Sequence, residues 1–262
     1  MRIIRVEHGG TSYYGILEDG LVFRLHQQPG HMEPIPLSEA KVLPLVTPSK
    51  VVCVGLNYKA HAEELGYPLP NMPSFFLKPP SSIIGNGEPI VLPSGMGRIE
   101  HEAELAMVVG KVCRNLTPEE AEESLFGFTC ANDVTAREVQ KVDPLIGHCK
   151  SYDTFCPIGP WIETELEDIN DLSIRCLVNG EVRQSANTGD MIFRPLDLLC
   201  FLSRVMTLMP GDVILTGTPP GISPIQADDV VQVSIEGIGT LSNPVEGPGP
   251  ACAPYPYHHS PC

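Results

Sequence analysis

The chain has 262 residues, of which 42% are hydrophobic and 19% are charged, a composition typical of a globular protein rather than a disordered one. Its formal net charge of −15 argues against nucleic acid as a partner, because phosphate contacts need a basic surface. The nine cysteines have no CxxC spacing, and we find neither a signal peptide nor an apolar run of membrane length, so we expect a cytoplasmic protein with reduced thiols and no membrane partner.

The first 47 residues predict a small antiparallel β domain. The segments RIIRV, SYYGIL and LVFRL read as short strands, and the turn EDG joins the second to the third. After a proline-rich connector, we expect the main domain to occupy residues 48–246. Residues 247–262 contain five prolines among sixteen residues, so we expect a disordered tail there.

A short helix near the start of the main domain carries the first candidate pair. Val51–Leu56 is an apolar run that predicts a buried strand, and Asn57 and Gly66 suit the N-cap and the stop of the helix that follows. On this helix His61 and Glu64 are three residues apart, so the carboxylate can orient the imidazole as a general base. The spacing fits a solvated polar face equally, and the residues alone leave both interpretations open.

The segment 74–93 predicts two strands joined by a hairpin at Asn86-Gly87. Lys78 precedes two prolines, which force its backbone to be extended. We expect Lys78 either to meet a carboxylate of the site or to be merely exposed.

The most unusual stretch is Ile99–Gly110, IEHEAELAMVVG, which alternates like a single strand. Glu100, Glu102 and Glu104 fall on one face, and no Lys or Arg is interleaved to relieve their repulsion. The stretch is either an acidic edge strand facing water or the site of a hard divalent cation, since such ions prefer carboxylate oxygens. The residues alone do not choose among the three glutamates.

Two later segments supply further polar candidates. LFGFTCANDVTAREVQ predicts a buried strand that runs into a helix, with Asp133 at the strand end. Asp133 is either a helix cap or a third carboxylate aimed at a metal, because site residues gather where strands end. Gln140 lies two helical turns farther on, and Lys150 precedes a proline-punctuated turn.

The remaining elements support the fold. An acidic helix is predicted at 117–124, a β-hairpin around Asn179-Gly180, and an amphipathic helix at Pro195–Met209. The strand VILTG then ends in a turn that bears Thr218 but lacks the glycine spacing of a phosphate-binding loop. A last antiparallel pair, VVQVSIEGIGTLSNPV, closes the fold.

These segments together resemble the fumarylacetoacetate hydrolase family in order and spacing. The resemblance covers residues 51–245 and is carried by VVCVGLNYKAHAEELG, IEHEAELAMVVGK, FGFTCANDVTAREVQ, KSYDTFCPIGPW, VILTGTPPGI and VSIEGIGTLSNPV. It is strongest to the branch of acylpyruvate hydrolases, oxaloacetate decarboxylases and 2-hydroxyhepta-2,4-diene-1,7-dioate isomerases. The resemblance implies an α+β fold that is mostly β, a mixed β-roll with short helices beside the small N-terminal domain, and a homodimer.

The resemblance also implies site residues, to which we add Lys78 as a substrate-binding candidate. The ion would be Mg²⁺ or Mn²⁺, with Ca²⁺ as a further candidate. The implied roles are metal ligation by Glu102, Glu104 and Asp133, catalysis by His61, Glu64, Gln140 and Lys150, and substrate binding by Thr218.

The function that follows is hydrolysis of a C–C bond in a small-molecule 2-oxo acid, an acylpyruvate-type β-diketo acid. His61, held by Glu64, would take a proton from the attacking water. The alternatives are isomerisation of diacids like 2-hydroxyhepta-2,4-diene-1,7-dioate or decarboxylation of oxaloacetate in aromatic catabolism, and a non-catalytic metal-binding member. One departure from the family is Asp228 in place of a usual glycine, which matters if that turn needs a positive φ.

Overall fold

The computed structural model describes residues 1–25, 33–143 and 145–247. The strands are β1 (Arg2–His8), β2 (Thr11–Glu18), β3 (Leu21–Arg24), β4 (Ile35–Pro36), β5 (Lys41–Val42), β6 (Val51–Gly55), β7 (Ser74–Lys78), β8 (Ile83–Ile84), β9 (Ile90–Val91), β10 (Ile99–Glu100), β11 (Ala103–Val109), β12 (Leu125–Asn132), β13 (Thr135–Ala136), β14 (Cys156–Glu163), β15 (Ser173–Val178), β16 (Glu181–Asn187), β17 (Val213–Leu215), β18 (Val230–Ile235) and β19 (Gly239–Glu246). The helices are α1 (Lys59–Leu65), α2 (Pro118–Glu123), α3 (Arg137–Val142), α4 (Ile146–Lys150) and α5 (Pro195–Val205).

A large mixed sheet forms the body of the protein. Its strand order is β4-β3-β2-β1-β14-β12-β11-β17-β6-β7, with β5 added to β1 and β8 added to β14. Most neighbours are antiparallel, but β17 runs parallel to β6 and β8 parallel to β14. A second sheet has the order β16-β15-β18-β19-β9. The predicted mostly-β α+β fold is therefore confirmed.

The N-terminal strands continue the large sheet, because β1 pairs with β14 as well as with β2. The three strands expected in the first 25 residues are present. A boundary near residue 47 stays a prediction. The expected disordered tail, from residue 248 onward, and residues 27–32 of the connector lie outside the described residues.

Strand β11 is buried on both faces, which explains its continuous apolar sequence. Leu105 and Met107 pack in one hydrophobic core, and Ala106 and Val108 pack in the other. Each of these side chains is at most 1% exposed. Burying a side chain as large as Leu or Met stabilises the fold by about 1.5–3 kcal/mol. The strand therefore holds Glu102 and Glu104, near its start, in fixed positions.

The single strand expected over Ile99–Gly110 is wrong. The chain forms β10, leaves the ladder at His101 and Glu102, and resumes as β11. β10 pairs with β13 in a separate two-stranded sheet. The break follows from tertiary contacts, since the buried His101 ring lies 3.0 Å from Gln184 Oε1 and 2.8 Å from Ser223 Oγ.

Two local predictions also fail because distant partners decide them. Asn57 is not the N-cap of α1, a position that Tyr58 takes; its side chain donates instead to the carbonyls of Phe193 and Thr216 at 3.0 and 2.7 Å. The hairpin at Asn86-Gly87 does not form, because β8 pairs with β14 and β9 with β19.

Other local predictions are confirmed. Gly66 ends α1 with a φ of 70°, and Thr117 caps α2 through a capping box. Asn179 and Gly180 have φ of 54° and 81°, as the type I′ turn between β15 and β16 requires. Asp228 has a φ of 71°, so the turn does use the conformation that favours glycine. Helix α5 ends at Val205, four residues before the predicted end.

None of the helices within the described residues is long and apolar enough to cross a membrane.

Candidate metal centre and catalytic pocket

Three carboxylates meet at one end of the antiparallel pair β11 and β12. The register places Ala103 opposite Asn132, so Glu102, Glu104 and Asp133 are all adjacent to this pair. One oxygen of each carboxylate lies within 4.8 Å of the others. All three residues are at most 5% exposed. The structure thus brings the predicted ligands together.

Hydrogen bonds fix the spacing of these carboxylates. Asn132 Oδ1 accepts from the Glu102 N–H at 2.9 Å, and the Glu102 carbonyl accepts from the Asp133 N–H at 2.8 Å. The Gly217 N–H donates to Glu104 Oε2 at 2.5 Å. Gly217 has a φ of 98°, a conformation that favours glycine and lets its N–H reach the carboxylate.

Cations from other segments lie against the cluster. Lys150 Nζ donates to Glu102 Oε2 at 2.6 Å and to Asp133 Oδ2 at 2.5 Å. Lys78 Nζ donates to Asp133 Oδ1 at 2.5 Å, and Arg137 Nη2 donates to Glu102 Oε1. The repulsion that the strand itself leaves unrelieved is thus reduced by residues distant in sequence.

The two clustered glutamates differ in their electrostatics. Burial alone would raise the pKa of Glu102, but the charges of Lys150 and Arg137 bring it well below its usual range. Burial raises the pKa of Glu104 well above its usual value, and the charges of Asp133 and Glu102 raise it further. Within the described residues Glu104 has no ion-pair partner, whereas Glu102 and Asp133 each have two.

This donor set fits a hard divalent cation. All three side chains offer carboxylate oxygens, which Mg²⁺ and Mn²⁺ prefer over nitrogen or sulfur ligands. Within the described residues no cation forms an ion pair with the carboxylate of Glu104, and a positive ion there would relieve the repulsion that raises its pKa. We therefore treat Glu102, Glu104 and Asp133 as the candidate metal ligands.

Helix α1 brings an imidazole to the same pocket. His61 Nδ1 lies 2.8 Å from Glu64 Oε2, and because a carboxylate only accepts, the ring donates at Nδ1. The Gly221 N–H donates to Glu64 Oε1 at 3.1 Å, so both carboxylate oxygens are held. His61 is 6% exposed. Its Nε2 is therefore the nitrogen left to exchange a proton with a ligand.

A cavity of about 340 Å³ joins α1 to the carboxylates. It brings together seven of the nine residues proposed from the sequence. Those that line it are His61, Glu102, Glu104, Asp133, Gln140, Lys150 and Thr218.

The other two proposed residues, Glu64 and Lys78, do not line the cavity. Glu64 acts on the cavity through His61. Lys78 is 1% exposed, and its ammonium is occupied by Asp133 Oδ1 and by the carbonyl of Phe155 at 2.7 Å. Its position is that of a residue which holds Asp133, rather than one which lines the space for substrate.

A buried amide ties the pocket threonine to the strand of the glutamates. Gln184 Nε2 donates to Thr218 Oγ1 at 2.8 Å, and Thr218 Oγ1 donates to the carbonyl of Ala103 at 2.9 Å. Gln184 Oε1 accepts from the Ala103 N–H at 3.0 Å and lies 3.0 Å from His101 Nδ1. Because Ala103 lies between Glu102 and Glu104, this network fixes the backbone that separates the two glutamates.

Sequence reasoning missed two residues of this site. Arg137 donates from Nε to Glu100 Oε2 at 2.5 Å and from Nη1 to Gln140 Oε1 at 2.8 Å. A signal was available, because Arg137 follows Asp133 by four residues and a cluster of buried carboxylates demands cations. Gln184 gave no signal, since its side-chain partners lie in two distant segments of the chain, around Ala103 and Thr218.

Comparison with known proteins identifies the family of the chain. The family model described as fumarylacetoacetate (FAA) hydrolase C-terminal matches residues 50–246, and one described as Rv2993c-like, N-terminal, matches residues 1–44. The human protein named oxaloacetate tautomerase FAHD2A, mitochondrial, is 42% identical over 225 residues, which cover 80% of this chain and 71% of that protein.

Two solved structures are also similar. A 5-carboxymethyl-2-hydroxymuconate delta-isomerase from Mycobacterium smegmatis has 42% identity and a TM-score of 0.87, with 95% of this chain and 100% of that chain covered. A maleylpyruvate hydrolase from Sphingobium sp. SYK-6, in complex with manganese(II) and pyruvate, has 30% identity and a TM-score of 0.80, with the same coverage.

Proposed function

We propose an activity for this chain, which belongs to the fumarylacetoacetate hydrolase family. The chain would be a divalent-metal-dependent hydrolase of acylpyruvate-type β-diketo acids. The observation that carries the proposal is the His61–Glu64 pair on the same cavity as three clustered carboxylates. An oriented imidazole is suited to activate water, and oxygen ligands are suited to a hard ion.

Glu102, Glu104 and Asp133 would hold Mg²⁺ or Mn²⁺, which would supply Lewis-acid stabilisation of the negative charge that develops on the pyruvate part. Support for the choice of ion comes from the manganese(II) in the similar maleylpyruvate hydrolase structure. Lys78 and Lys150 hold the oxygens of Asp133 that face them, and so orient this ligand.

His61 takes a proton from water at Nε2 in this proposal. Its Nδ1 proton is already donated to Glu64, so the imidazolium that forms is stabilised by a carboxylate 2.8 Å away. The water then attacks the distal carbonyl carbon. The C–C bond to the methylene breaks, and protonation of that methylene gives pyruvate, so one acylpyruvate and one water give one carboxylic acid and one pyruvate.

Two further side chains are placed to bind the substrate oxygens. Lys150 Nζ has three protons, of which two go to Glu102 and Asp133, so one remains for a substrate oxygen. Gln140 uses its Oε1 to accept from Arg137, which leaves its Nε2 to donate into the cavity. These groups capture an anion locally although the chain as a whole carries a net charge of −15.

A second candidate function uses the same residues differently. The similar proteins include an isomerase and an oxaloacetate tautomerase, both of which move protons without breaking a C–C bond. In that case His61 would take a proton from the substrate carbon and return it elsewhere, with no water consumed.

The experiment that separates the two candidates uses one preparation loaded with Mg²⁺ or Mn²⁺. Pyruvate release from acetylpyruvate is compared with ketonisation of a 2-hydroxydienedioate and of enol-oxaloacetate. The hydrolase proposal expects pyruvate in amounts equal to the acetylpyruvate consumed. Rapid ketonisation without any pyruvate release would reject it in favour of the isomerase.

A further inference from the structure

The cavity has charged walls at its base and apolar walls at its mouth. Its carboxylates and Lys150 are at most 5% exposed, so they form the base. Four apolar lining residues that are more accessible form what we call the apolar rim, namely Leu65, Tyr67, Pro70 and Ile146; the exposed Ser74 also lines the cavity. Leu65, Tyr67 and Ile146 are 43%, 62% and 39% exposed, so a ligand can still cover them.

We propose that the apolar rim selects 2-oxo acids whose distal end is uncharged and apolar, and rejects those that carry a second carboxylate there. The inference rests on the proposed function for one point only, namely that the 2-oxo acid end binds at the base. It goes beyond that function by naming the class of acyl group.

The basic side chains that line the cavity lie beside the clustered carboxylates or Glu64 rather than at the apolar rim. Arg137 pairs with Glu100 and Glu102, and Lys150 pairs with Glu102 and Asp133. His61 donates to Glu64. Within the described residues no other Lys, Arg or His lines the cavity, so a distal carboxylate would find no cation at the apolar rim.

A carboxylate at the apolar rim would also be repelled. Glu63 and Glu64 directly precede Leu65 on α1, and both are exposed. A distal carboxylate would exchange water for apolar side chains, which costs free energy unless a hydrogen-bonding partner replaces the water. An alkyl group in the same place instead removes apolar surface of both the ligand and the apolar rim from water, which favours binding.

The part of the apolar rim next to α1 is held in place by the end of that helix. Gly66 caps α1 in the left-handed conformation, with a φ of 70°. The Tyr67 N–H donates to the carbonyl of Ala62 at 2.9 Å, so the residue after the cap is anchored to the helix. Leu65 and Tyr67 of the apolar rim are therefore fixed to the helix that carries His61, so a ligand that contacts them lies against the same helix.

Binding, rather than turnover, gives the direct test. The two probes are 6-methyl-2-oxoheptanoate and 2-oxoadipate, which share the 2-oxo acid end and differ in an isopropyl or a carboxylate group at the other. Neither is a β-diketone, so neither is cleaved. Calorimetric titration into the Mn²⁺-loaded protein should give a Kd about tenfold lower for the isopropyl compound, since burial of each methylene-sized group is worth about three- to fourfold.

Matched variants test whether the apolar rim causes the preference for the isopropyl compound over 2-oxoadipate. Leu65→Arg should reverse the preference by supplying a cation, whereas Leu65→Gln should only weaken binding of the isopropyl compound. Leu69→Arg is the control, because Leu69 is 51% exposed in the loop that follows α1 but does not line the cavity. It should leave the ratio of the two Kd values unchanged.

Each outcome decides the proposal. Equal or tighter binding of 2-oxoadipate by the unmodified protein would overturn it, and so would an unchanged ratio in Leu65→Arg. Binding of neither acid would overturn it together with the 2-oxo acid end on which it rests. Selective binding without pyruvate release from any acylpyruvate would support the apolar rim and refute only the hydrolase function.

Discussion

Replacement of Gln184 by Leu should both destabilise the protein and loosen its metal site. The change keeps the side-chain size but removes hydrogen bonds to Ala103, Thr218 and Pro219 and the contact with His101. At least two groups, the Ala103 N–H and the Pro219 carbonyl, would be left unsatisfied in the interior. Each costs about 1–3 kcal/mol, so we expect a loss of about 2–6 kcal/mol in the free energy of unfolding.

The effect on the metal follows from the position of Ala103. Its N–H and its carbonyl are both held by this network, and the two glutamate ligands flank it. Loss of a residue that orients ligands typically lowers metal affinity by about 10- to 100-fold, and we expect Gln184→Leu to fall in that range. Urea unfolding measures the first effect, and calorimetric titration with Mn²⁺ measures the second.

A second buried amide provides the control. Asn243 is 1% exposed and donates to the carbonyls of Gly85 and Glu88, both at 2.8 Å, in a segment that does not line the cavity. Asn243→Leu should destabilise the fold but leave Mn²⁺ affinity unchanged. If Gln184→Leu bound Mn²⁺ as the unmodified protein does, the network would be a purely structural feature and our reasoning about it would be refuted.

Three further predictions concern the base, the pH dependence and the thiols. His61→Ala should lower kcat by about 10²-fold, the usual loss when a general base is removed, while Mn²⁺ affinity stays unchanged; full turnover in this variant would exclude His61 from the mechanism. Burial would raise the pKa of Asp212, but hydrogen bonds from Lys50, the Met209 N–H and Ser49 lower it below its ordinary 3.8. The contribution of Asp212 to stability is therefore present above pH 3.8 and lost as the pH falls below it. The free energy of unfolding in urea should therefore differ less between pH 6 and pH 3 for Asp212→Asn than for the unmodified protein. Burial also raises the pKa values of the described cysteines, so a thiol reagent at pH 8 should modify them only after unfolding. These cysteines are Cys53, Cys113, Cys130, Cys149, Cys156, Cys176 and Cys200. Rapid modification of any of them in the native state would contradict this prediction.

Features set by neighbouring residues were predictable from the sequence. The Asn179-Gly180 turn needs positive φ at both positions, and the cap of α2 needs only Thr117 and a glutamate three residues later. The His61–Glu64 contact follows from helical spacing. The cluster of carboxylates was recognised through the family resemblance, since alternation alone could not exclude Glu100 as a ligand.

Features set by distant residues were not predictable in this way. Asn57 is a good N-cap by its chemistry, but its amide is used by Phe193, which is 136 residues away in sequence. Gln184 acts on Ala103 from 81 residues away. Such contacts depend on how the two sheets pack, and a single sequence carries no local pattern for them.

We propose that one divalent ion, held by Glu102, Glu104 and Asp133, is required for turnover. The measurement that tests it most directly is titration of chelator-stripped protein with Mn²⁺, with bound ion followed by electron paramagnetic resonance and pyruvate release from acetylpyruvate followed in the same samples. We expect one tightly bound ion per chain and a rate of pyruvate release that rises in proportion to the bound ion. Glu104→Gln should lose both Mn²⁺ binding and pyruvate release. Full pyruvate release in the presence of chelator, or Mn²⁺ binding that Glu104→Gln leaves intact, would contradict it.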